Sequence, residues 1–124
     1  RARWGRPWDA AVMHYEEANF HVGGRDVFRC APKTAPHFRG ETRYLDIVPN
    51  RRIVSSVTTE IDGKRLSTAL NTVELESADT STYVSLTVQI AALDGPGMIE
   101  RSRAAYDAAL DNLVREIGAL VAAK

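Results

Sequence analysis

The stretch Phe20–Cys30, FHVGGRDVFRC, sets two adjacent glycines and an arginine between residues that alternate in polarity. Its reading decides the fold. A glycine loop that cradles phosphate runs from a strand into a helix, so that the first helical amides and the dipole meet the anion. Here the residues after Gly24 continue as RDVFRC, which alternates like a strand and carries no helical stripe. No third glycine stands at the required spacing, and no Lys-Ser/Thr pair follows. Gly23-Gly24 is therefore read as a tight hairpin turn, where glycine supplies φ > 0 at no steric cost.

The strand pattern extends outward from this turn. Between Ala11 and Ala91, short alternating runs are separated by turn signals at the ~8–12-residue spacing of an antiparallel sheet. In TYVSLTVQI, Val84, Leu86, Val88 and Ile90 face one way while Tyr83, Ser85, Thr87 and Gln89 face the other, as a sheet with one buried and one wet face requires. In RIVSSVTTEI, Ile53, Val57 and Ile61 share a face with Ser55 and Thr59. Pro49-Asn50 and Asp62-Gly63 read as turns, the latter being the favoured pair for a two-residue hairpin loop. ESADTS is a further polar turn. After LDGPG the period changes to that of a helix. Ile99, Tyr106, Leu110, Leu113, Ile117 and Leu120 form a stripe that Ala105 and Ala109 fill. A helix over Met98–Ala122 would be about 37 Å long at 1.5 Å per residue. The expected class is α+β, a curved antiparallel β-sheet wrapped around one long C-terminal helix in two layers.

Composition narrows the partners. At 124 residues the chain is read as one domain, 1–124, and its 16 basic and 16 acidic residues cancel. That balance leaves no basic footprint for nucleic acid or an anionic membrane surface. No apolar run approaches the ~20 residues of a membrane span, and no signal-peptide core is seen. The single Cys30 cannot form an internal disulfide, so the cytoplasm is the expected location.

Few residues point to chemistry. His14 and His21 lie seven apart on one expected strand and emerge on opposite faces, and His37 sits in a Pro-flanked loop. Three or four convergent zinc ligands are not in view, so no metal or cofactor is expected. Cys30 reads as a small buried hydrophobe, with no histidine placed to activate it. His14 and Glu16 share a strand face about 7 Å apart at 3.3 Å per residue, a spacing open to ligand contact, acid–base work or a solvated sheet edge. Tyr106, on the helix stripe, is either core or a ligand contact.

Strand, GG turn, strand, then FRGETRYLDIVPNRRIVSS, three further strand segments and a helix containing ALDNL form an order with a known likeness. It resembles the activator-of-heat-shock-ATPase-like, polyketide-cyclase-like branch of the START-related (SRPBCC, helix-grip) superfamily. FHVGGRDVF fits the family's F-x-V-G-G-R-x-x-F pattern, and GETRYLDIVPNRRIV fits its following turn. His21 stands where members commonly carry Arg, and Ala105-Tyr106 where many carry Gly-Trp. The resemblance implies a START-like domain that lacks the family's first strand and helices, since RARWG, which contains Trp4 and is followed closely by Trp8, reads as the end of the second helix. Some 30 residues are expected to precede it, as the family's first strand pairs beside the last one. Without that strand, Val84–Ile90 would be a bare edge that invites pairing, as in a homodimer.

The resemblance implies a cavity between sheet and helix that holds a small apolar or amphipathic ligand. The wall expected there is Val57, Ile61, Leu86, Val88 and Ile90, with His14, Glu16, Thr59 and Tyr106 as polar contacts. Two alternatives stand beside this ligand-binding reading. One is a cyclase- or hydrolase-type enzyme using His14 and Glu16 in the same cavity. The other is a chaperone-interacting module, which would show a surface patch instead of a cavity.

Overall fold

The computed structural model describes residues 12–31 and 38–122. Trp4, Trp8, His37 and the RARWG element lie outside these residues, as do the side chains of Cys30 and Leu120. Six strands follow one another, β1 (Val12–Ala18), β2 (Arg25–Ala31), β3 (Phe38–Val48), β4 (Arg52–Ile61), β5 (Lys64–Ala78) and β6 (Ser81–Ala92). A single helix, α1 (Gly97–Ala122), closes the order. Each strand pairs antiparallel with the next, giving an open curved sheet in the order β1-β2-β3-β4-β5-β6.

Turn chemistry explains the short connections. Asp62 (φ 50°) and Gly63 (φ 80°) alone join β4 to β5, the positive pair that matches the twist of a hairpin. Asn50 (φ 63°) and Asp79 (φ 49°) serve the β3–β4 and β5–β6 turns, both being residues that tolerate the left-handed region. The glycine pair departs from a two-residue hairpin. The β1–β2 connection runs over Asn19–Gly24, closed by the Gly24 amide donating to the His21 carbonyl at 2.8 Å. Only Gly23 has positive φ, 84°. Gly24 is required for space, because a Cβ there would lie 2.3 Å from the Asn19 carbonyl oxygen.

This turn docks on the middle of β3. The Gly23 amide donates to the Tyr44 carbonyl at 2.9 Å, and the Tyr44 amide donates to the Gly24 carbonyl at 3.1 Å. Beneath the turn, Asp26 is 1% exposed and accepts from the Tyr44 hydroxyl at 2.6 Å and the Asn19 amide at 3.0 Å. The Phe20 ring meets Tyr44 edge-on with centroids 4.9 Å apart. The glycine turn is thus sewn to the sheet.

The pleat sorts every strand into an inner and an outer face. Register carries the inner face from Phe28 to Gly40, Thr59, Ser67 and Ala92, and from Tyr44 to Ser55, Asn71 and Val88. Gly40 is needed on this face because the Phe28 ring lies over it, where a Cβ would be 2.1 Å from Phe28 Cζ. At Leu45 a bulge inserts one extra residue, so Tyr44 and Ile47 both point inward despite their odd spacing. The outer face carries a ladder of opposite charges: Arg25 with Glu17 (2.8 Å), Arg43 with Glu41 (2.8 Å), Arg39 with Glu60 (3.6 Å) and Arg29 with Glu16. Arg43 and Glu41 neighbour each other along β3 and the other pairs cross between strands; such pairs suit a solvated sheet surface and individually add little stability.

The helix begins at Gly97, one residue before the expected start, and Met98 is buried at its foot. Asp94, in the preceding turn, pairs with Lys64 Nζ at 2.8 Å and so ties the entry of α1 to the start of β5. The helix stripe is only partly covered. Ile99 and Ile117 are exposed, whereas the polar Asn112 is 4% exposed and accepts from Arg115.

Two substitutions test these supports. Gly40→Ala should lower unfolding free energy by about 1–3 kcal/mol in urea titration, the range for forcing a methyl into a packed site. Phe28→Leu in the same chain should recover part of the loss. Tyr44→Phe should cost about 1–3 kcal/mol, because it strips a donor from a buried carboxyl group.

Candidate functional site

The alternation of β6 turns Leu86, Val88 and Ile90 toward the helix, and helical spacing turns Ile99, Tyr106 and Leu110 toward β6. Between them lies a groove of about 250 Å³, with Ser102, Arg103 and Asp107 completing its lining from the helix side. Its walls are mainly aliphatic, and the two charges at its rim are of opposite sign. A second hollow of about 290 Å³ lies over Arg51, Arg52, Glu74, Leu75, Glu76 and Ser85. Leu75 is its sole apolar side chain, so it offers no surface on which an apolar molecule gains by leaving water.

Of the groove residues, Tyr106 is tied to the neighbouring strand. Asn71, on β5 and directly paired with Val88, donates from Nδ2 to the Tyr106 hydroxyl at 3.0 Å. This bond ties helix to sheet. Asn71 is 9% exposed, and its Oδ1 is buried with no hydrogen-bond partner. Ser55 and Ser67, on the same face, are also buried. Burial pushes the Tyr106 phenol above its ordinary pKa, against the smaller downward pull of the Asn71 bond.

The residues singled out from the sequence divide between the two faces. Leu86, Val88 and Tyr106 meet in the groove. Val57 and Thr59 lie on the same inner face but two strands away from β6, and the Thr59 hydroxyl is engaged by Ser67 at 2.7 Å. His14 and Glu16 stand elsewhere. His14 pairs with Arg29 in register, and Glu16 is bonded to the Arg29 guanidinium on the outer, charged face. Both are exposed, and that guanidinium holds the Glu16 carboxyl below the usual carboxylate range. The inward residue of β1 is their neighbour Tyr15, whose ring lies 5.8 Å from Phe28. Asn71 was not singled out. Its signal was an amide in the inward phase of LSTALNTVEL, a position where strands favour β-branched and aromatic side chains.

Among the described residues, no three His, Cys, Asp or Glu side chains converge as metal ligands, and no helix is long and apolar enough to cross a membrane.

The Tyr106 phenol supplies a pH test. An unfolded tyrosine titrates near pH 10. With the folded pKa raised above that value, its share of stability is whole below about pH 10 and is lost as pH climbs toward the folded pKa. In urea titrations from about pH 9.5 to 11, Tyr106→Phe should therefore lose less stability than the unaltered chain. A parallel loss in both would mean the phenol titrates like a free one.

Comparison with known proteins agrees with this geometry. The fold is similar to that of protein CV1439 from Chromobacterium violaceum, with a TM-score of 0.75 and 22% identity over 90% of this chain and 76% of that one. It is also similar to the Mll3558 protein from Rhizobium loti, with a TM-score of 0.67 and 32% identity over 80% of this chain and 71% of that one. A protein from Rhizobium leguminosarum gives a TM-score of 0.65 and 26% identity over 87% of this chain and 72% of its own. No curated protein sequence matches the chain. The family model described as "Activator of Hsp90 ATPase homolog 1-like protein" matches residues 1–118. An open antiparallel sheet with one long C-terminal helix, matched over nearly its whole length by that model, places this chain in the activator of Hsp90 ATPase homolog 1-like family, within the helix-grip (SRPBCC) superfamily.

Proposed function

We propose that the protein binds a small apolar or amphipathic molecule between β6 and α1, and does so in the cytoplasm. One observation carries this reading. A groove walled by Leu86, Val88, Ile90, Ile99 and Leu110 also carries Tyr106, whose hydroxyl is bonded to the buried Asn71 on β5. Ligand sites of this make-up combine apolar wall, which supplies affinity, with a few polar groups that fix orientation. The volume, about 250 Å³, lies below the ~300–1,000 Å³ common for drug-sized ligand pockets and suits only a slender molecule. His14 and Glu16, on the outer face, take no part in this site, which weakens the acid–base reading built on them.

A chaperone-interacting module is the second reading, favoured by the family description. Its surface would be the Arg–Glu ladder of the outer face.

Native mass spectrometry of the full-length protein purified from its host separates the two. A co-purifying small molecule should appear as an adduct, and Val88→Trp, which fills the groove, should abolish it. An adduct that survives Val88→Trp, or none at all in the unaltered protein, would count against the groove. Retention on immobilised Hsp90, unchanged by Val88→Trp and lost when Arg25 and Arg39 are reversed in charge, would support the second reading. The same spectrum reports whether the outer edge of β6, which pairs with no strand among the described residues, supports a homodimer.

A further inference from the structure

Asn71 is the polar group of the inner face that the fold leaves unfinished. Its side chain can donate twice from Nδ2 and accept at Oδ1. Nδ2 is used on Tyr106, while Oδ1 is buried without a partner. Tyr106 is used in this bond as an acceptor, so its own hydroxyl proton remains to be given. Turning the amide over does not alter this balance. Tyr106 would then donate to Oδ1, leaving the Nδ2 protons and a phenol lone pair unused. The first orientation leaves one amide N–H and the phenol O–H as donors with Oδ1 as acceptor, and the second leaves both amide N–H groups with a phenol lone pair, so each offers at least one donor beside an acceptor. Buried polar atoms are seldom left unpaired, because the lost water bonds must be replaced.

We infer that the groove's ligand ends in a neutral group that both donates and accepts, namely the hydroxyl of an aliphatic alcohol, which bonds to Asn71 and Tyr106 together while the bond between them is kept. The chemistry is selective. An ether or ketone could accept from Tyr106 but would leave Oδ1 empty. A carboxylate likewise brings no donor, and an ammonium brings no acceptor. The Arg103 and Asp107 charges at the rim oppose one another and reward neither ion. The aliphatic part of the alcohol lies along Leu86, Val88 and Ile90. This inference rests on the reading of the groove as a ligand site.

The test compares two isomers, 1-undecanol and decyl methyl ether, which have the same atoms and differ in having or lacking an O–H. Their affinities for the full-length protein are read by displacement of 1-anilinonaphthalene-8-sulfonate and by calorimetry. The alcohol should bind about tenfold more tightly, the effect of one completed buried hydrogen bond. Asn71→Leu should bring the isomers to equal affinity. Tyr106→Phe, which keeps the ring in the groove, should cut the preference at least by half and serves if Asn71→Leu does not fold. Equal binding of the isomers by the unaltered protein, or a preference intact in Tyr106→Phe, overturns the alcohol assignment and leaves the groove reading standing. Binding of neither isomer overturns both.

Discussion

In this protein everything depends on the parity of the β-pleat. Successive side chains of a strand point to opposite faces, so one slipped residue exchanges the inner and outer sets of that strand. Six strands in simple succession make five pairings, each a chance for such a slip. The register is held where side chains leave no choice. The Phe28 ring lies over Gly40, and Asp26 accepts from Tyr44 across the β2–β3 pair. The glycine turn closes over both through backbone bonds to Tyr44. From these points the ladder of paired residues carries the same parity across β4 and β5 to Val88 on β6.

The face defined in this way is not a uniform apolar core. Ser55, Ser67 and Asn71 are buried on it, and Asp26, also on it, is 1% exposed. Aliphatic wall is concentrated on β6, where α1 lies opposite Leu86, Val88 and Ile90. The helix is fastened through Asn71 and Tyr106 and at its entry through Asp94 and Lys64, while Ile99 and Ile117 remain exposed. A helix so held leaves room beside the sheet. Tight filling would have made a stronger core at the expense of the groove, because close packing and a ligand site compete for the same apolar surface.

Asn71 and Tyr106 link the fold to its proposed use. The bond between them positions α1, and the donor and acceptor they leave over are what a bound molecule would meet. Glu16 and Arg29 show the opposite arrangement, with each charge answered by its neighbour on a wet face. Polar groups with partners support the structure, whereas a buried group without one marks a place where something else is expected to bind.

Much of this was legible in the sequence. Alternation in TYVSLTVQI, the Asp62-Gly63 turn and the stripe from Ile99 to Leu113 each follow from local stereochemistry, which neighbouring residues are enough to determine. So did the rejection of a phosphate loop at Gly23-Gly24, although the turn's length and its anchorage on Tyr44 involve a strand some twenty residues away. Which face of β1 looks inward was a different kind of question. Period two says only that His14 and Tyr15 oppose each other, and it was pairing with β2 that sent Tyr15 to Phe28 and His14 to Arg29. The unpaired oxygen of Asn71 is likewise a fact about what surrounds it, including a helix that begins 26 residues later in the chain. Local sequence by itself determined the strands, the tight turns and the helix, because backbone sterics and periodicity act over a few residues. Tertiary structure alone decided the faces, the groove and the unfinished hydrogen bond, because each depends on contacts between residues far apart in sequence.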